Sequence, residues 1–318
     1  MKHTTRKAAA LWIILLTGTS ILQQATAQLK GYNILGDQGL QAGTQPPPSI
    51  SLAIPLYVYS ASSYRNSSGD KLSSSPSLDM FFTGIAGSIV TNVKVFNGNW
   101  GATIIVPFAS NRVEGNVVNV DGPFSFTDMY IQPIQLGWHT KRADFNMGYG
   151  IFIPTGKYEF GGDDNTGLGM WAQELTAGTT LFLNKTKTFH FATTFSYEVH
   201  GDKKDTDIKT GDILSIEGGL GHTWYKKGKT PIPTIFNAGL IYYMQFKISD
   251  DKIPVGNTVF SGSKDRVYGW GVEGNVFMPG IRSQLGLRWL AETGARNRFE
   301  GSTFFITLGY MLKSLSKK

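Results

Sequence analysis

The sequence predicts an all-β protein, a transmembrane antiparallel β-barrel of about twelve strands. Three observations lead there. Apolar and polar residues alternate over stretches longer than the roughly six residues of a soluble strand. Short and long connections alternate along the chain, and charges gather in the connections rather than in the strands. A secreted soluble sandwich also alternates, but it needs polar residues spread over its outer strand faces. Here the few charges inside strands fall on the face opposite the aromatics.

Residues 1–27 read as a secretory signal peptide. Lys2, Arg6 and Lys7 precede the apolar run Ala8 to Leu16, and Ala25-Thr26-Ala27 is a small-x-small cleavage site. The run is nine residues, too short for the roughly 20 that cross a bilayer as a helix. Cleavage removes three cations and no acid, so the net charge falls from +7 to +4, with three of those charges at Lys313, Lys317 and Lys318. The basic balance is therefore no nucleic-acid face. Among the 318 residues there is no Cys, which excludes disulfides, thiolate metal sites, a Cys nucleophile and an acylated lipoprotein anchor. Residues 28–48 are Gly-rich, polar and poorly alternating, an arm expected either in the periplasm or tucked into the lumen as a plug. Residues 49–318 form the barrel.

Strands are expected at 50–60, 79–95, 100–108, 124–139, 143–154, 169–183, 188–200, 212–225, 234–248, 266–277, 282–293 and 302–312. The clearest runs from Phe189 through Phe191, Thr193, Phe195 and Tyr197 to Val199, with His190, Ala192, Thr194, Ser196, Glu198 and His200 on the other face. From Phe236 a second apolar set continues through Ala238, Leu240, Tyr242, Met244 and Phe246 to Ile248. Such lengths suit a tilted membrane-crossing strand. Short turns fall near Asn97-Gly98-Asn99, Lys141-Arg142, Asn184-Lys185, Lys226 to Thr230 and Pro279-Gly280. Longer connections lie at 61–78, 109–123, 155–168, 201–211, 249–265 and 294–301. An even strand number with short turns on one side and long loops on the other is the plan of bacterial outer-membrane barrels. Trp100, Trp138, Trp171, Trp224, Trp270 and Trp289 lie in these strands, several near an end, as interfacial girdles require.

Sites of chemistry are sparse. Gly269, Gly271 and Gly274 spell G-x-G-x-x-G but sit inside an alternating strand, without the strand-to-helix turn that gives a phosphate its helix N-terminus. Gly150 to Lys157 has one residue too many for a phosphate loop, and Tyr158 stands where Ser or Thr would hold magnesium. The acids Asp163, Asp164, Asp202, Asp205 and Asp207 read as solvated loop tips. Of the mature histidines, His139, His190, His200 and His222, alternation turns only His222 to the lipid side. No catalytic residue, metal ligand or cofactor is assigned.

Asp128-Met129-Tyr130-Ile131-Gln132-Pro133 leading to Leu136-Gly137-Trp138-His139, then Gly148-Tyr149-Gly150 leading to Pro154-Thr155-Gly156-Lys157-Tyr158, resemble the family called "Putative MetA-pathway of phenol degradation". So do Tyr197-Glu198, Thr210-Gly211-Asp212 and the stretch Glu292 to Gly301. The resemblance spans about residues 45 to 305. It implies an outer-membrane β-barrel that behaves as a transporter and is akin to sphingosine-binding porins, without implying that the chain breaks down phenol. One departure is the tail from Lys313 to Lys318, where outer-membrane barrels tend to finish on an aromatic.

Alternation assigns the lumen-facing residues. The pore-lining set is Lys94, Glu174, Glu198, Glu217, Tyr243, Gln245, Lys247, Glu273, Arg288 and Glu292, with Tyr225 beside them. Arg288 is expected diagonal to Glu273, and Arg288 with Glu292 at a constriction. Eight strands make a barrel filled by side chains and 16 to 18 an open channel, so twelve give an intermediate lumen. The reading is a channel in the outer membrane of a Gram-negative bacterium for passive uptake of a small or amphipathic, aromatic or lipid-like solute. Its partners are outer-membrane lipid, lipopolysaccharide and that solute, with no nucleic acid. A closed barrel binding a ligand or partner without transport, or a lipid-acting barrel enzyme, are the alternatives.

Overall fold

The computed structural model describes residues 30–116, 119–228, 231–255, 258–262 and 264–316. The expected signal peptide and the first two residues of the arm lie outside these. Twelve staves form the wall. They are β1 (Ser49–Ala61), β2 (Ser77–Val95), β3 (Gly98–Glu114), β4 (Met129–His139), β5 (Ala143–Ile153) and β6 (Ala172–Phe182), then β7 (Phe189–His200), β8 (Ile213–Lys226), β9 (Thr234–Lys247), β10 (Arg266–Met278), β11 (Ser283–Arg296) and β12 (Ser302–Ser314). Each pairs antiparallel with its neighbour in the chain, and β1 pairs with β12, from Ser49 opposite Ser314 to Ser60 opposite Ser302. The sheet thus closes on itself. Among the described residues there is no helix.

Alternation decides which face each residue takes. Leu52, Ile54 and Val58 on β1 are exposed, while Tyr57, Tyr59 and Ala61 are buried. Around the ring the outward set is apolar, with Ile85, Leu175, Phe195, Leu240, Val272 and Leu308 all exposed. The inward set holds the polar groups. Leu240 is 62% exposed, whereas Glu198 is 0% exposed. This inverts a water-soluble protein and fits a wall whose surroundings are hydrocarbon. Trp171, Trp224, Trp270 and Trp289 are also outward and exposed.

The strand expected at 124–139 is two pieces. Asn119–Phe126 pairs with the far half of β3, β4 pairs with its near half, and the ladder breaks at Thr127-Asp128. Two small features were not expected from sequence: a hairpin of Asp251–Val255 and Thr258–Gly262, and a pair of two-residue strands, Tyr64–Arg65 with Arg298–Phe299. Both stand at the long-loop end.

Residues 30–45 run through the lumen. The arm begins beside Phe299 at the long-loop end and reaches Gln45, packed against Gly137 and Gly101, near the short turns. Leu35 and Leu40 are buried with Ile241, Tyr243, Val267 and Leu290 in one apolar cluster inside the barrel. Leu40 is seated in a gap left by Gly219, Gly221 and Gly239, where an added Cβ would lie within 2.9–3.1 Å of its methyl groups.

The outward face of β9 makes a direct test. Leu240→Arg near mid-strand should cost about 2–4 kcal/mol in lipid vesicles, read as a lower denaturant midpoint. The lumen-facing Asn275→Ala should cost less than half as much. Equal effects would contradict a hydrocarbon-facing Leu240.

Candidate functional site

Inside the wall, the arm is held by side chains rather than by strand pairing. Its irregular backbone leaves N–H groups that need acceptors. Three inward carboxylates supply them in sequence. Glu198 on β7 accepts from Tyr32 N at 2.7 Å and Asn33 N at 3.2 Å. Glu217 on β8 accepts from Gly36 N at 2.9 Å and Gln38 N at 3.3 Å. Glu273 on β10 accepts from Leu40 N at 2.9 Å. Gly39 lies so close to this last carboxylate that a Cβ there would overlap it. Lower down, Asn146 donates to Ala42 O at 3.0 Å, and Thr44 Oγ1 donates to Asp144 at 3.1 Å.

Most of the pore-lining residues named from sequence therefore meet the arm or one another. Arg288 lies directly opposite Glu273 in the ladder, not diagonal to it, with Nε and Oε2 3.1 Å apart. It also donates to Asp37 O at 2.7 Å, bracing wall and arm together. Glu174 stands opposite Glu198 and accepts from Tyr130 OH at 2.7 Å. Glu292 accepts from Tyr59 OH at 2.6 Å and Tyr243 OH at 2.9 Å, so it sits in a separate cluster from Arg288. Gln245 donates to Ser215 Oγ at 3.1 Å and accepts from Arg298 at 2.7 Å. Lys247 pairs with Asp251 at 2.9 Å and Asp265 at 3.1 Å. Lys94 stands apart: the ladder shifts register between Val90 and Lys94, and the residue is exposed beside Asn99 at the short-turn end. Tyr225, 53% exposed near the end of β8, is likewise away from the lumen cluster.

Sequence reasoning missed Asp128, which bridges the break in the wall. Its Oδ1 accepts from Gly156 N at 2.8 Å, and its Oδ2 from Leu168 N at 2.6 Å and Tyr32 OH at 3.0 Å. Thr155 completes the patch, accepting from Met129 N and donating to Thr127 O, both at 3.0 Å. Tyr32 stacks on Phe152, with ring centroids 4.5 Å apart. The segment Pro154 to Tyr158 thus closes the wall beside Asp128, a role its spacing alone does not disclose. Lys203, in the neighbouring loop, donates to Leu168 O at 2.8 Å, and burial pushes its ammonium down to about 8.

Above the arm a chamber of about 330 Å³ remains at the long-loop end. Tyr57, Tyr59, Met80 and Phe82 line it from β1 and β2, Lys30 and Ile34 from the arm, and Arg298 and Phe299 from the small strand pair. The histidines do not assemble with it. His190 and His200 are buried, His139 lies 3.2 Å from Asp144, and His222 packs on Trp224 at 4.5 Å. Among the described residues no group of three or more His, Asp and Glu is placed to hold a metal.

Residues 61–308 match the family described as "Putative MetA-pathway of phenol degradation". The chain belongs to this family. In fold it is similar to the COG4313 outer membrane channel from Pseudomonas putida F1, with 14% identity, 88% of this chain and 100% of that chain covered, and a TM-score of 0.69. Two further likenesses are fainter. The beta domain of the Bordetella autotransporter BrkA has 8% identity, 83% and 100% coverage and a TM-score of 0.46. The CymD monoaromatic hydrocarbon channel has 10% identity, 86% and 91% coverage and a TM-score of 0.38. No curated protein gave a match. The family and the closed twelve-strand wall establish an outer-membrane type of barrel.

Two tests follow from this geometry. The chain has no cysteine of its own, so Ala42→Cys places a lone thiol on the buried part of the arm. Maleimide should modify it at least about tenfold faster when Glu217→Ala removes the acceptor of two amides, since leaving a buried N–H unsatisfied costs about 1–3 kcal/mol. An unchanged rate would mean that the carboxylate does not hold the arm. Separately, Asp128→Ala strands the N–H groups of Gly156 and Leu168, at about 1–3 kcal/mol each. Protease should then cut within 154–171 sooner than in the parent.

Proposed function

We propose that the chain is an outer-membrane channel that lets a small apolar or amphipathic solute pass down its gradient, with the arm as its plug. The observation that carries this reading is the arm itself. It occupies the lumen along its length, yet it is held by side-chain acceptors and two leucines rather than by ladder pairing with the wall. A segment held in that way can shift or leave while the wall stays closed. In a bacterium the short turns would face the periplasm and the long loops the outside. Outer-membrane lipid and lipopolysaccharide would surround the apolar face. We assign no catalytic role: His222, which alternation turns to the lipid side, packs on Trp224.

The occupied lumen favours a second reading, a closed barrel that binds ligand without passing it. Planar-bilayer conductance of the full mature chain, of a form lacking residues 30–44 and of Leu40→Ala separates the two. For a plugged channel, the deletion should raise conductance several-fold. Leu40→Ala, which removes about 2–5 kcal/mol of buried packing, should lengthen open periods. A correctly folded deletion form that conducts no better than bare bilayer would rule out transport.

A further inference from the structure

The chamber at the long-loop end contains a buried donor without an acceptor. Its carboxylates are all engaged. Asp251 accepts from Gly211 N at 2.8 Å and from Lys247, and Asp265 binds Lys247 and Arg298 Nη1. Glu292 accepts from two tyrosine hydroxyls and from Gly301 N at 2.8 Å. Three acids face three bases here, so net charge does not single out a ligand; the pairing does. Lys30 Nζ lies 5.2 Å from the centre of the Phe299 ring, with the Asp265 and Glu292 carboxylates and the Arg298 guanidinium close enough to act on its charge. Arg298 is enclosed, and its Nε has no hydrogen-bond partner. An enclosed guanidinium N–H lacking an acceptor is uncommon, because buried donors are nearly always paired, and the half-buried Lys30 lines the same chamber. The group that satisfies that N–H and a neighbouring ammonium together is an anion with two oxygens in one plane.

The opposite side of the chamber is of a different character. Tyr57 and Tyr59 on β1, Met80 and Phe82 on β2 and Ile34 on the arm present apolar surface. Tyr57 and Phe299 are part of a buried aromatic cluster that also includes Phe305. The volume is near the lower end of the roughly 300–1,000 Å³ of small-molecule sites, which limits the occupant to one ring or a short branched chain.

From this division we infer that the chamber is a binding site for a monocarboxylate with a single-ring or short-chain apolar body. The carboxylate lies between Lys30 Nζ and Arg298 Nε, and the hydrocarbon rests against Tyr57, Phe82 and Phe299. The inference deepens the channel reading by naming the class of solute that pauses at the long-loop mouth, and it rests on that reading only for its part in transport.

Equilibrium binding to the full mature protein in detergent micelles tests the site without requiring any flux. Benzoate is the probe, with benzamide and toluene as neutral companions of similar size. Benzoate should bind at least about tenfold more tightly than either companion. Lys30→Gln should weaken benzoate by about 10- to 100-fold, the loss expected for one charge-assisted hydrogen bond, while leaving toluene within about twofold. Lys30 lies on the arm rather than in the wall, so this variant leaves the ladder intact; Lys30→Arg should restore most of the affinity. Equal binding of benzoate and benzamide, no benzoate binding at all, or an unchanged benzoate affinity in Lys30→Gln would each overturn the site. Conductance measured on the same preparations keeps the two readings separate. Benzoate binding by a non-conducting barrel removes the channel and keeps the site, and conductance without benzoate binding does the reverse.

Discussion

Hydrocarbon offers no partner to a backbone amide, and this constraint governs the molecule. A sheet placed in it must have no free edge, so β1 has to meet β12 along its whole length. Once the ring closes, each stave has one face toward lipid and one toward an enclosed interior. Polar side chains are then left a single direction in which to point. The same demand applies to the interior. Residues 30–45 bring a stretch of irregular backbone into it, and their N–H groups find carboxylates where a sheet would have offered carbonyls. Glu198, Glu217 and Glu273 are buried carboxyl groups that would be costly if left without partners. The arm and the lumen acids therefore satisfy one another, and removing either strands the other.

The staves were legible in the sequence because a period of two, kept over ten or more residues and bounded by turn chemistry, seldom arises outside a strand with two unlike faces. Phe189–His200 and Thr234–Lys247 fall within a residue of where alternation places them. The break at Thr127-Asp128 was not legible. There a side chain replaces ladder carbonyls, and its partners Gly156 and Leu168 lie 28 and 40 residues away. Spacing along one strand carries no trace of such a contact. The small strand pair of Tyr64–Arg65 with Arg298–Phe299 escaped for a related reason, since two residues are too few to show a period.

The lumen residues were legible as a face but not as a set of partners. Alternation turns Glu217, Glu273 and Arg288 to the inner face, where they meet the arm and one another, while at Lys94 the register shift after Val90 cancels the parity count. It could not show that the acids would meet backbone rather than solute. The clue lay in composition: an arm rich in Gly and Gln has no pattern with which to pair itself, so its amides must be satisfied by something else. Arg298 lay within the stretch that carried the family resemblance, but only the fold brings it to the chamber that Lys30, 268 positions earlier, also lines.

Charge is also distributed unevenly around the ring, and this places both plug and free space. The inward acids Glu174, Glu198, Glu217, Glu273 and Glu292 sit on β6, β7, β8, β10 and β11. On β1 and β2 the corresponding inward positions at the long-loop end are Tyr57, Tyr59, Met80 and Phe82, which offer no carboxylate to an arm N–H. A segment seeking acceptors must lean toward the acidic arc, and the room it leaves lies against the aromatic arc. The chamber is therefore the complement of the plug and not an accident of packing. Moving a carboxylate from β8 to β1 would shift both together, because the same distribution of acceptors sets the path of the chain and the shape of the space beside it.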